Sequence, residues 1–239
     1  MGIQSPQYSH LQMTSLVLIP GLLCNQDLWS SQIAMLGRHA EIVVADLGAR
    51  ATIFEMASAV LEATPERFSL AGFSLGSQVA LEIMRIAGER VERLALLSAT
   101  HGGLLPPVEK AIRSAIEIIE GGDFEGYLEA AYPTYVSATR ISDPVVKGCF
   151  MDMAHAVGRN AGLRQMRALL EIKSPFSGLG QIRCPTLIIG GQDDRRTTPA
   201  AHQALAKEIP GSELVLIDDA AHFTVLERPR VVSEWMERW

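Results

Sequence analysis

Paired cysteines, an excess of basic charge and long apolar runs are all missing from this chain, and each absence closes off a class of function. The cysteines are Cys24, Cys149 and Cys184. Odd in number and widely spaced, they fit reduced thiols in a cytoplasmic protein better than a disulfide framework, and they show no metal-ligand spacing. A net charge of −6 gives no basic footprint for nucleic acid, and it disfavours an anionic membrane surface. No apolar stretch approaches the ~20 residues of a transmembrane helix, because the run from Leu16 to Leu23 is broken by Pro20 and Gly21. Residues 1–12 are polar, without the basic start and apolar segment of a secretory signal. The expectation is a cytoplasmic protein with a small-molecule substrate and no nucleic-acid or membrane partner; its oligomeric state is left open.

At 239 residues and 48% hydrophobic content, the chain suits one sizeable domain with room for an insertion. Short β-type runs alternate with helical patterns. The runs Ser15 to Ile19, Glu41 to Ala45, Phe68 to Ala71, Arg93 to Leu97, Pro185 to Ile189 and Glu213 to Ile217 are apolar on both faces, as parallel strands covered by helices should be. Helical patterns fall between them, from about Asp27 to Leu36 and, opened by a Thr52/Glu55 capping box, to about Ala63. Between the fourth and fifth strands, four helical patterns (Val108 to Glu120, Phe124 to Tyr132, Pro144 to Val157, Ala161 to Ile172) exceed what one crossover needs. We read residues 106–174 as a helical cap inserted into a core made of 1–105 and 175–239.

The most informative stretch is Gly72-Phe73-Ser74-Leu75-Gly76, lying directly after an apolar run and directly before a helical pattern. A serine on such a sharp strand-to-helix turn adopts strained backbone angles, so its neighbours must lack bulk, and the helix start offers N–H groups to a developing oxyanion. Two polar loops follow later strands. Gly190-Gly191-Gln192-Asp193-Asp194 places carboxylates beyond the fifth strand, and Asp218-Asp219-Ala220-Ala221-His222 places an imidazole beyond the sixth. A serine hydroxyl needs a base, histidine has an ordinary pKa of ~6.5, and a carboxylate fixes the ring's tautomer.

With Pro20-Gly21-Leu22-Leu23 after the first strand, Gly72 to Gly76, Gly191 to Pro199, and Ala221-His222-Phe223 followed by Glu227-Arg228-Pro229, the chain resembles the α/β-hydrolase superfamily over nearly its whole length. The similarity is to the group of small cofactor-free esterases and enol-lactonases. It implies an α/β fold with a mostly parallel sheet of about six strands, no metal or organic cofactor, Ser74 as nucleophile and His222 as base. It also implies oxyanion donors on the Leu22 and Leu75 backbone. Counting from Gly191 the family's Gly-x-x-Asp selects Asp194 as the acid, whereas counting from Gly190 selects Asp193; Asp194 is preferred. Relatives often carry a histidine where Pro20 stands, and many have an antiparallel hairpin before the first strand, for which residues 1–12 leave little room.

The implied reaction is hydrolysis of a carboxylic ester or lactone through an acyl-enzyme. Alternatives are a lyase or C–C bond hydrolase with the same three residues, and a ligand-binding protein without turnover. An anion-binding cap would favour the lyase and C–C readings, an apolar one simple esters. Arg159, Arg164 and Arg167 form a solvated face unless one turns inward, and Phe150, Met151, Met153 and Met166 suggest an adaptable apolar lining. His101 reads as a polar loop residue, Cys24 as a buried inert thiol, and His10, His39, His155 and His202 as surface or packing residues.

Overall fold

The computed structural model describes residues 14–100, 104–172 and 176–239. Six strands form one sheet: β1 (Thr14–Ile19), β2 (Ala40–Val44), β3 (Phe68–Phe73), β4 (Val91–Leu97), β5 (Thr186–Gly191) and β6 (Glu213–Ile217). Their order is β2-β1-β3-β4-β5-β6, and all five pairings are parallel. The inner strands β3 and β5 are buried at every position, which is why their sequences show apolar runs rather than alternation. The chain moves outward from β1 to β2, then crosses back to β3. That reversal opens a crevice at the carboxyl ends of β1 and β3, the usual ligand position in an open parallel sheet.

Helices cover both faces. Between β1 and β4 run α1 (Ser30–Leu36), α2 (Ile53–Glu62) and α3 (Leu75–Ala87); α2 packs on α3. The Thr52/Glu55 box is formed, with Thr52 Oγ1 accepting the Glu55 N–H at 3.1 Å and Glu55 Oε2 accepting the Thr52 N–H at 3.2 Å. Four helices separate β4 from β5: α4 (Pro106–Glu120), α5 (Phe124–Ala131), α6 (Pro144–Val157) and α7 (Arg159–Leu170). Then come α8 (Pro199–Glu208), the short α9 (Thr224–Glu227) and α10 (Pro229–Arg238), which packs on α1. Buried Gln32 ties that pair together by donating to the Pro229 carbonyl and to Ser233 Oγ. The expectation that no hairpin precedes β1 concerns residues outside those described. No helix among the described residues is long and apolar enough to cross a bilayer.

The junction of β3 with α3 is tightly packed beside the crevice. A Cβ on Gly76 would lie 2.2 Å from the Ile19 carbonyl oxygen and 2.7 Å from that of Pro20. Both obstacles are backbone, so no rotamer change relieves the clash. Gly76→Ala should therefore destabilise the fold by about 3 kcal/mol, the upper end of the cost of overpacking. Urea unfolding of the variant beside wild type measures this; a loss below about 1 kcal/mol would show that the α3 start can move.

Candidate active site

Ser74 has φ 52° and ψ −111°, a backbone conformation that L-residues rarely adopt. Its surroundings fix it there. The Ser74 N–H donates to the Leu97 carbonyl at 2.9 Å, and the Ser74 carbonyl accepts from both the N–H (2.9 Å) and the hydroxyl (2.6 Å) of Ser77. The sharp turn lifts the side chain off the end of β3 into the crevice.

There Ser74 Oγ lies 2.9 Å from His222 Nε2, and His222 Nδ1 lies 2.9 Å from Asp194 Oδ2. An ionised carboxylate only accepts, so Nδ1 carries the ring proton and Nε2 of the neutral ring is left to accept from the serine hydroxyl. Asp194 is held in turn by the N–H groups of Arg196 (2.7 Å) and Thr197 (3.0 Å) on Oδ1, and by the Thr197 hydroxyl (2.6 Å) on Oδ2. Burial alone would raise its pKa. The His222 ring and the Thr197 donors outweigh that effect and hold the carboxyl down to about 2.

The end of β5 and the loop after β6 meet because β5 ends in glycine: a Cβ on Gly191 would fall 2.2 Å from the Ala221 carbonyl oxygen. The histidine loop is clamped from two sides. Ser98 Oγ donates to the His222 carbonyl at 2.6 Å, and buried Glu227 accepts the Ala221 N–H on one oxygen (2.9 Å) and the Ser137 N–H on the other (2.7 Å). Burial pushes the Glu227 carboxyl upward against the pull of those donors. Phe73, Tyr135 and Phe223 pack around the His222 ring.

A cavity of about 60 Å³ opens on this constellation. Ser74, His222, Leu22, Leu75 and Gln78 line its base, and Leu104, Leu105, Val108, Ile112, Leu169 and Ile172 supply an apolar roof. Arg196 completes the wall, its guanidinium 3.8 Å above the Tyr135 ring. A larger cleft of about 590 Å³ lies elsewhere, beyond β2, between Asp46 to Ala49 and α7; it contains no part of the Ser74–His222 pair.

Asp193 and Asp194 part company here. Asp193 is exposed and its N–H donates to the Ala220 carbonyl, whereas Asp194 is buried against His222. The arginines of α7 do not reach the cavity: Arg159 is exposed, Arg167 pairs with Glu120 at the surface, and Arg164 donates to the Gly48 carbonyl beside the outer cleft. Nor do Phe150, Met153 and Met166, which are buried in the core, or Met151. Cys24 is buried at the outer cleft, where burial pushes its thiol up and keeps it protonated. His202 is fully buried and held neutral by burial, with Nδ1 near the Thr198 carbonyl and Nε2 accepting from the Ala99 N–H. His39 and His155 sit at the surface beside Glu237 and Glu125, and His10 and His101 lie outside the described residues. Tyr135 was not singled out from the sequence, and Arg196, Thr197 and Glu227 entered that reading only within the stretches that carry the resemblance, with no role of their own.

Comparison with known proteins agrees with this architecture. A RutD protein of Agrobacterium fabrum, named as a candidate carbamate hydrolase, is 26% identical over 90% of this chain and 88% of its own length. Its counterpart from Klebsiella pneumoniae is 28% identical, over 70% of this chain and 64% of that protein. Among solved structures, an enol-lactonase from Burkholderia xenovorans superposes with a TM-score of 0.87 at 22% identity, over 96% of this chain and 92% of its own. A thermophilic esterase from Thermogutta terrifontis gives 0.83 at 22% identity, over 95% and 89%. The profile of the Alpha/beta hydrolase family matches residues 16–235, and with that match the chain belongs to this family of enzymes.

Proposed function

We propose that this hydrolase cleaves short carboxylic esters or lactones through an acyl-enzyme on Ser74. The observation that carries this reading is the unbroken chain Ser74 Oγ, His222 Nε2, His222 Nδ1, Asp194 Oδ2, with both contacts at 2.9 Å, lining an apolar cavity. His222 takes the hydroxyl proton as Oγ attacks the carbonyl carbon, and the imidazolium that forms is stabilised by Asp194. The carbonyl oxygen becomes the oxyanion, received by the N–H groups of Leu22 and Leu75. Collapse breaks the bond to the leaving alkoxide, which takes the proton from His222. Water then enters by the same route, and its attack releases the acid and restores Ser74.

The helices α4 and α7 act in this reading as a cap over the acyl group. The residues they contribute to the cavity wall are apolar, Val108, Ile112 and Leu169, which favours simple esters over the lyase and C–C cleavage readings. A free volume of about 60 Å³ is small beside the roughly 300–1,000 Å³ of drug-sized ligand sites, so short acyl chains fit best. An acetyl aryl ester should give a burst of one phenolate per chain followed by slower turnover. It should exceed the dodecanoyl ester in kcat/KM by about tenfold or more, as discrimination by pocket volume allows. Turnover without a burst or a serine-linked acyl group by mass spectrometry, even in rapid-quench experiments, would count against the acyl-enzyme. A preference for the long chain would count against the cap.

A further inference from the structure

The loop after β1 is held from the side away from Ser74, and the holding residue comes from α7. Leu23 sits in the left-handed region at φ 57°, which leucine disfavours and which persists only where the surroundings over-determine it. Its N–H donates at 2.9 Å to Oε1 of Gln165, a residue 1% exposed and 142 positions away. The carbonyl of the same peptide unit, that of Leu22, faces the Cys24 thiol at 3.3 Å. The preceding unit is fixed as well, since the Gly21 carbonyl accepts the Cys24 N–H at 3.1 Å. In a trans peptide the N–H points opposite to the C=O. With the Gly21 carbonyl turned to Cys24, the Leu22 N–H is turned the other way. One turn before Gln165 on the same face of α7, Gly162 leaves room for the Leu23 side chain: a Cβ there would stand 2.6 Å from Leu23 Cδ2.

We infer that Gln165 is a positioning residue for the oxyanion hole, setting the aim of the Leu22 N–H through the Leu22–Leu23 peptide. The inference rests on the reading that this N–H receives the oxyanion. It also ties the helical segment to the chemistry: the oxyanion donor is aimed only while α7 is seated.

The test is kinetic. Gln165→Met keeps the length of the side chain and removes the acceptor; Gln165→Glu keeps an acceptor oxygen; Gln165→Asn withdraws it by one methylene and serves if the Met variant fails to fold. Each is assayed on an acetyl aryl ester, with active sites counted by the burst, and with an aryl boronic acid whose tetrahedral adduct on Ser74 places an oxygen in the hole. Removing an oxyanion donor outright costs about 10²–10³ in kcat, so a misaimed one should cost about 10- to 100-fold. The expected result is that loss in kcat per titrated site at nearly unchanged KM, a matching loss in boronate affinity, and recovery of most of both in Gln165→Glu. A purely structural role would instead lower thermal stability and the titratable fraction, leaving kcat per site at the wild-type value. That outcome, or equal impairment of the Met and Glu variants, overturns the inference. Ser74→Ala run alongside separates the two levels: if it is inactive while Gln165→Met is fully active, only the Gln165 role falls, whereas an active Ser74→Ala removes the nucleophile reading and this inference with it.

Discussion

Ser74→Ala should fold like the wild type and lose about 10⁶-fold in kcat on a short aryl ester, with no burst, the scale on which removal of a triad nucleophile is felt. The two halves of that expectation have separate causes. Stability should hardly change because the substitution removes one hydrogen bond, to His222, from a partly exposed side chain, while the backbone bonds that fix the turn, to Leu97 and Ser77, remain. Alanine also meets no new obstacle at φ 52°, since it carries the same Cβ as serine. Activity should collapse because, among the described residues, Ser74 is the hydroxyl paired with His222 Nε2. Ser98 is buried with its hydroxyl donated to the His222 carbonyl, and Thr197 gives its hydroxyl to Asp194. What remains is the residual rate from bound substrate and backbone donors, and a circular-dichroism melt next to the esterase assay reads both halves. A variant that retains more than about a hundredth of wild-type turnover would place the nucleophile elsewhere.

The sequence was legible wherever a function rests on local chain geometry. The run Glu213–Ile217 and the helix Pro144–Val157 have the bounds read from their patterns, because each is closed by turn residues or by Pro and Gly. The Thr52/Glu55 box needed only four consecutive residues. Ser74 and His222 stood out for the same reason, since Ser74 follows an apolar strand directly and His222 follows one after a four-residue loop. Spacing gave a preference for Asp194 over Asp193 but not the geometry behind it, since adjacent residues of one turn point to opposite sides. Here β5 delivers Asp194 inward against His222 and leaves Asp193 in solvent. Farther from the strand ends the text fades. The apolar wall was expected from Phe150, Met151, Met153 and Met166, yet these do not line the cavity, which is roofed from α4, the loop before it and the end of α7. Which face of an amphipathic helix meets a cavity depends on docking angle, and composition does not encode that angle. Gln165 is the clearest instance: a polar residue in a helical pattern looks solvated until a strained peptide 142 residues away supplies its partner.

Asp194→Asn should lower kcat by about 10⁴-fold while leaving substrate binding nearly intact, because the amide inverts the tautomer on which His222 depends. Oδ1 accepts two backbone N–H groups, from Arg196 and Thr197, so the amide oxygen of the variant takes that side and the NH₂ replaces Oδ2. That NH₂ can only donate. It therefore favours the neutral ring with its proton on Nε2, which then faces Ser74 as a donor and cannot accept the hydroxyl proton. The same substitution has a signature in stability. With the folded pKa lowered to about 2, Asp194 stabilises the native state above its unfolded value, and that contribution is lost as pH falls from the ordinary carboxylate range near 4 through about 2. Urea unfolding across this acid interval should show wild type losing about 2–3 kcal/mol more than Asp194→Asn, which has no carboxylate there to protonate. Parallel pH profiles of the two proteins would deny Asp194 its ionised, His222-paired state, and with it the source of the tautomer that catalysis requires.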